Sequence, residues 1–258
     1  MKTYLHYPMK KLVNCRDLGG MPTADGGVTR FGVLIRSELP AELAEEDLAM
    51  LRELNVTTSI DLRNDFEVEN SPSDLRSCDW IDYRHISAMS RQAAMGSEVR
   101  KPEPAARPDP DAFFNIDWKP VYCGMLANKP QWVYDICEAF ISAPGAVHFH
   151  CATGKDRTGL FAMLILSACG VSEDDIAANY SLSEIYMRPY YINMVSRMTG
   201  GNYKEEDLSK GFFSTSHNTM RFVMNDLKEK YGSVVNYLRE CGVTDEMMAK
   251  IREKLVEY

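Results

Sequence analysis

What the chain lacks removes several classes of protein at once. No run in its 258 residues approaches 18 consecutive apolar positions, and the opening from Met1 to Pro8 has no apolar core. Neither a membrane span nor a secretory leader is therefore expected. Positive charge is in deficit, with 29 Lys and Arg against 37 Asp and Glu and a net charge of −8. That balance argues against nucleic acid as a partner and against stable membrane insertion. The seven cysteines have no paired spacing, so no disulfide framework is read and a reducing, cytoplasmic compartment is expected. Beyond His148 and His150 the histidines are His6, His85 and His217, and no second Cys/His pair stands at ligand spacing. No metal and no cofactor is expected on that ground. There is no internal repeat, low-complexity tract or sign of a second domain, which leaves one domain over residues 1–258.

The stretch from Ala146 to Gly159 is where the chain is most specific. Ala146, Val147 and Phe149 form a short apolar run that reads as a buried strand, with Cys151 at its end. A tight loop leads to Arg157, and Leu160 to Ala168 is periodic and apolar, as in a helix. Several backbone N–H groups of residues 152–157 can point at one spot, and the helix adds its own unpaired donors and positive dipole end. A thiol in such an anion cradle ionises more readily, with pKa values in comparable sites of roughly 3.5–7.5. Arg157 can grip two phosphate oxygens at once, which lysine does less well. Thr158 offers a hydroxyl toward the sulfur, and Gly154 frees the loop backbone. This is the arrangement of a thiolate that attacks phosphorus. A single cysteine at a strand end is more often a small buried hydrophobe. The complete string His150-Cys151, five residues, then Arg157-Thr158-Gly159 is far more specific than its parts.

That string resembles the signature of the cysteine-dependent tyrosine and dual-specificity phosphatases. Its longer form, Gly154-Lys155-Asp156-Arg157-Thr158-Gly159, is similar to a bacterial subgroup of tyrosine/serine protein phosphatases with mycobacterial and Listeria members. Asn14, Arg16, Asp17, Gly19 and Gly20 resemble the N-terminal motif of the same subgroup. So do Leu34-Ile35-Arg36-Ser37, the region 61–67 and the stretch 231–243. The resemblance implies an α/β fold of the tyrosine phosphatase type, a mostly parallel sheet flanked by helices with a helical C-terminal part. It implies hydrolysis of phosphotyrosine, sometimes phosphoserine or phosphothreonine, and of phosphoinositides, through a phosphocysteine. The implied substrate is a phosphorylated protein or a phosphoinositide. The substrate cradle is expected from Ala152, Thr153, Gly154, Lys155 and Thr158, with Asp17 and Arg63 beside it. Thr153 departs from the subgroup, where Ala is frequent.

The rest of the chain supplies the expected scaffold. Strands are read in 12–20, 31–37, 56–63 and 79–86, the last at an edge, and an amphipathic surface helix between Pro40 and Leu54. Arg16, Arg36, Arg63 and Arg157 each fall near the end of such a strand, where ligands bind in open α/β sheets. Four converging arginines are the positive pocket expected inside an acidic shell; pairing with Asp17, Asp61 or Glu67 is the other reading. Residues 90–112 carry four prolines and no period, and a mobile lid or substrate-facing loop is expected there. Helices follow over 117–143, broken near Pro130, from Ser172, over 180–197 and 218–230, and over 244–256. The aromatics between 180 and 213 read as packing residues.

A phosphocysteine route needs an acid for the leaving oxygen. The Trp-Pro-Asp of ordinary tyrosine phosphatases is absent. Asp156 is the first candidate, in keeping with the bacterial subgroup, and Asp61 and Asp82 are weaker ones. Lys155 resembles the cation of phosphoinositide-directed phosphatases, so a dedicated inositol-lipid or inositol phosphate phosphatase is the alternative among enzymes. A sulfurtransferase gives no reason for the Arg-Thr-Gly ending. A phosphate-binding module without catalysis is the alternative from another class. Cys15, beside Arg16 and Asp17, is a candidate disulfide partner for an oxidised Cys151.

Overall fold

Strands form where the chain is β-branched and apolar, and their alternation sorts two cores. The computed structural model describes residues 5–88 and 113–258. The strands are β1 (Arg16–Asp17), β2 (Val28–Thr29), β3 (Leu34–Ser37), β4 (Val56–Asp61), β5 (Asp82–His85), β6 (Ala146–His150) and β7 (Val256–Glu257). The main sheet has the order β1-β3-β6-β4-β5. β3, β6, β4 and β5 run parallel, and β1 closes one edge antiparallel. β2 and β7 make a separate antiparallel pair. Every residue of β6 is buried, as a central strand covered on both faces requires. Leu34, Ile60, Val147 and Phe149 point into the larger core, and Ile35, Val56 and Ala146 into the smaller one.

The helices are α1 (Glu45–Glu53), α2 (Asp65–Asn70), α3 (Trp118–Asn128), α4 (Pro130–Ser142), α5 (Asp156–Ala168), α6 (Glu173–Thr199), α7 (His217–Tyr231), α8 (Val234–Glu240) and α9 (Asp245–Leu255). Asp117 caps α3 through the N–H of Lys119, and Pro130 opens α4 at a position whose N–H no helix uses. α5 is apolar nearly all round and is buried accordingly, packed by α4, α6, α8 and α9 as well as β6.

The α/β architecture anticipated from the sequence is the one found. Boundaries differ. The first strand shrinks to Arg16–Asp17, and α1 starts at Glu45, not Pro40, because Glu45, Glu46 and Asp47 favour a helix N-terminus. The two helical patterns after Ser172 are one helix of 27 residues that runs through Pro189 and ends on left-handed Gly200. Val256 leaves its helix to pair with Thr29. The lid expected at 90–112 lies outside the described residues. No described helix is long and apolar enough to cross a membrane.

Candidate active site

Parallel pairing brings three strand ends level. Ser37 of β3 and Asp61 of β4 both lie opposite His150 of β6, so the chain emerges at Cys151 between two neighbours. Cys151 is buried, and the loop turns back into α5. Gly154 takes φ +66°, and a Cβ there would collide with the Ser37 carbonyl, so only glycine fits the close approach. Among the described residues nothing accepts from the N–H groups of Ala152 through Arg157. Six adjacent donors in one turn, at the start of a helix, form a concave anion site.

The loop is braced from behind. Asn14 Nδ2 donates to the carbonyls of Thr153 (3.0 Å) and Gly154 (3.3 Å). Arg36 donates to the Gly154 carbonyl (2.8 Å) and to Asn179 Oδ1 (2.9 Å). Arg16 holds Asn14 and donates to Asn179 O and Ser183 Oγ of α6. Burial lowers the pKa of Arg36 to about 10, and burial followed by Arg36 lowers that of Arg16.

Arg157 is the cation at the loop's mouth. Its two terminal nitrogens meet Glu67 Oε2 at 2.6 Å and Oε1 at 2.8 Å. Among the described residues its Nε–H has no acceptor, so the inner edge of the guanidinium remains for an oxyanion. Burial opposes its charge, but the Glu67 bonds and the nearby Cys151 outweigh that and raise its pKa. Glu67 is aligned by a reciprocal cap: it accepts from the Asn64 N–H and donates its own N–H to Asn64 Oδ1.

Asp156 opens α5, where its Oδ1 accepts from the Tyr122 hydroxyl and lies 3.5 Å from Lys155 Nζ. Lys155 is fully buried and turned into the protein. Its ammonium donates to the Phe212 carbonyl and faces the rings of Phe212 (4.6 Å) and Trp118 (4.8 Å). Burial lowers its pKa, with Asp156 opposing. Thr158 is buried, and among the described residues its hydroxyl has no hydrogen-bond partner, Cys151 included.

Two expected substrate contacts are placed elsewhere. Arg63 is clamped on Asp61, with Nε 2.9 Å from Oδ1 and a terminal nitrogen 2.6 Å from Oδ2, and donates also to the carbonyls of Glu67 and Ser71. Asp17 accepts from the Tyr7 hydroxyl and from the N–H groups of Gly19 and Gly32. Neither meets the loop, because a buried charge takes the nearest compensating partner. The four-arginine pocket thus reduces to Arg157, with Arg16 and Arg36 behind the loop. Asp61, a weaker acid candidate, is wholly buried on Arg63 and Tyr83, and Asp82 lies at the opposite end of its strand. Cys15 packs with Ile35 in the smaller core, on the face of the sheet away from Cys151. The two nitrogens of His148 meet Ser37 Oγ (2.8 Å) and Ser59 Oγ (3.1 Å), and His150 Nδ1 meets the Cys151 carbonyl (3.1 Å). Burial lowers the pKa of both histidines, to about 4 for His150. No group of three His, Cys, Asp or Glu suited to a metal occurs among the described residues.

Sequence reasoning missed Tyr122, Asn179 and Ser183, and had Glu67 only as an alternative partner for the strand-end arginines. No local pattern marks the first three, since helices distant in sequence deliver them.

A thiol at a strand end, a loop of unpaired amides and an arginine at the helix start together make a candidate site for an anionic substrate. The model of the tyrosine phosphatase family matches residues 7–257, and the chain belongs to that family. It is an enzyme of the protein-tyrosine phosphatase class. It is 29% identical over 242 residues to a provisionally named tyrosine-protein phosphatase of Cupriavidus necator, covering 90% of this chain and 82% of that one. A tyrosine-protein phosphatase of Nostoc commune is 28% identical over 86% of this chain and 73% of its own. The triple specificity protein phosphatase PtpB of Mycobacterium tuberculosis is 24% identical over 94% and 96%. The crystal structure of TpbA from P. aeruginosa aligns over 84% of this chain and 90% of its own at 16% identity, with a TM-score of 0.32.

Proposed function

We propose that the protein hydrolyses phosphomonoesters, phosphotyrosine first among them, through a phosphocysteine at Cys151. The observation that carries this reading is the ring of unpaired N–H groups from Ala152 to Arg157 around the end of β6, closed by a guanidinium whose outer edge is already held by Glu67. In the first step the Cys151 thiolate attacks phosphorus, an S–P bond forms and the ester P–O bond breaks. The equatorial oxygens lie on the loop amides and on the inner edge of Arg157, and the leaving oxygen takes its proton from Asp156. In the second step water attacks phosphorus, its proton passes to the Asp156 carboxylate and the S–P bond breaks, releasing phosphate and restoring the thiolate. Phosphoserine and phosphothreonine peptides are substrates on the same geometry, at lower rates because alkoxides leave less easily. Phosphoinositide-only activity drew on Lys155, and the burial of that ammonium against Phe212 leaves it without its cation.

The test is phosphate release from a phosphotyrosine peptide, a phosphoserine peptide and a phosphoinositide, side by side, with Cys151→Ser as control. Turnover of the tyrosine peptide that vanishes in the variant, with phosphate binding kept, is expected. Residual turnover above about 1% of wild type would remove Cys151 as nucleophile. Turnover of the phosphoinositide alone would return Lys155 to the substrate site.

A further inference from the structure

Tyr122 is a buried phenol whose hydroxyl, among the described residues, meets two side-chain polar groups and no backbone. It donates to Asp156 Oδ1 and lies 3.0 Å from the hydroxyl of Tyr180, which α6 supplies from the other side. Both rings are fixed. Trp118 stacks on Tyr122 with centroids 5.5 Å apart and is itself held by the Gly211 carbonyl. Tyr180 lies so close over Gly159 that a Cβ there would be 2.8 Å from its ring, a reason for glycine at the end of the Arg-Thr-Gly string.

The proton count gives the chain a direction. If Tyr180 donates to Tyr122 and Tyr122 donates to Asp156, both phenol protons have acceptors and the chain ends on a carboxylate.

We propose that Tyr122, backed by Tyr180, is a positioning residue that aims the Asp156 carboxyl for proton transfer to the leaving oxygen. This rests on Asp156 as the acid and base of the phosphatase reading. The other groups facing Asp156 are Lys155 and Arg157 from its own segment, Arg36 from β3 and Tyr191 from α6, with Glu184 facing Lys155. Burial, then Asp156, keeps the Tyr122 phenol protonated well above its usual range, so toward Asp156 it acts as a donor.

The experiment compares Tyr122→Phe with wild type on p-nitrophenyl phosphate and on an alkyl phosphate across pH. Expected is a fall in kcat of about tenfold on the alkyl ester and less than about twofold on the aryl one, because only the poor leaving group needs an aimed acid. Equal loss on both esters overturns the proposal. Tyr180→Phe is expected to show the same split between the esters but smaller, and decides the matter alone if Tyr122→Phe does not fold. Asp156→Asn separates the two readings. If that variant loses no more on the alkyl ester than on the aryl one, Asp156 is not the acid and the functional reading falls. If it shows the split while Tyr122→Phe does not, only the role of Tyr122 falls.

Discussion

Arg157 shows how one side chain can serve two anions. Its outer edge is locked on Glu67 while its inner edge faces the loop, so the guanidinium is aimed before substrate arrives. Lysine has no second edge. Arg157→Lys is therefore expected to lower kcat/KM by about 100-fold or more, with phosphate inhibition weakened in parallel. Glu67→Gln keeps one acceptor and loses the other, and a fall of about tenfold in kcat/KM is expected, mostly through KM. Steady-state kinetics with inorganic phosphate as inhibitor checks both; unchanged phosphate affinity in either variant contradicts the two-edge reading. Arg157 was legible in the sequence because its spacing from Cys151 is local. Its outer partner was not singled out, since Glu67 lies 90 residues away and is delivered by a helix cap.

At the scale of elements, the loop between β6 and α5 is held by other segments more than by itself. Asn14 from just before β1 and Arg36 from β3 carry the carbonyls that a tight loop leaves unpaired. Gly154 is the point of closest approach to β3. Gly154→Ala places a Cβ against the Ser37 carbonyl at a positive φ, and a destabilisation of about 2–3 kcal/mol is expected. That corresponds to a fall in Tm on the order of 5–10 °C for a chain of this size. An unchanged Tm would mean the loop adjusts freely, against the bracing described. The strand-end arginines of the N-terminal half, Arg16, Arg36 and Arg63, thus act as scaffold. Their placement at strand ends was readable, but their direction was not, because a buried charge turns to whichever partner the fold presents.

At the scale of the whole molecule, His148 and His150 lie in the central strand, buried with depressed pKa values. A histidine whose folded pKa lies below its unfolded value binds its proton more readily when unfolded. Its contribution is complete above the unfolded pKa and is lost as pH falls toward the folded one. For His150, whose pKa drops from 6.5 to about 4, the loss across that window is on the order of 3 kcal/mol. Denaturant unfolding at pH 7 and at pH 4.5 is expected to show a clear drop in stability, and a flat profile between them would contradict neutral buried imidazoles. The chain's charge of −8 gave no hint of this interior. Three arginines, a lysine and two histidines are enclosed within, together with Asp17, Asp47 and Asp61.

Local order in the chain determined the strands, most of the helices, the loop after Cys151 and the family, because each rests on period, turn chemistry or spacing within a few residues. Only the tertiary structure decided which arginine stands at the mouth of the loop, that Lys155 turns inward and that Tyr122 reaches Asp156. Those outcomes depend on which partner lies nearest once the sheet is paired and the helices are packed. A side chain's chemistry is written in the sequence, but the direction in which it points is set by its neighbours in space.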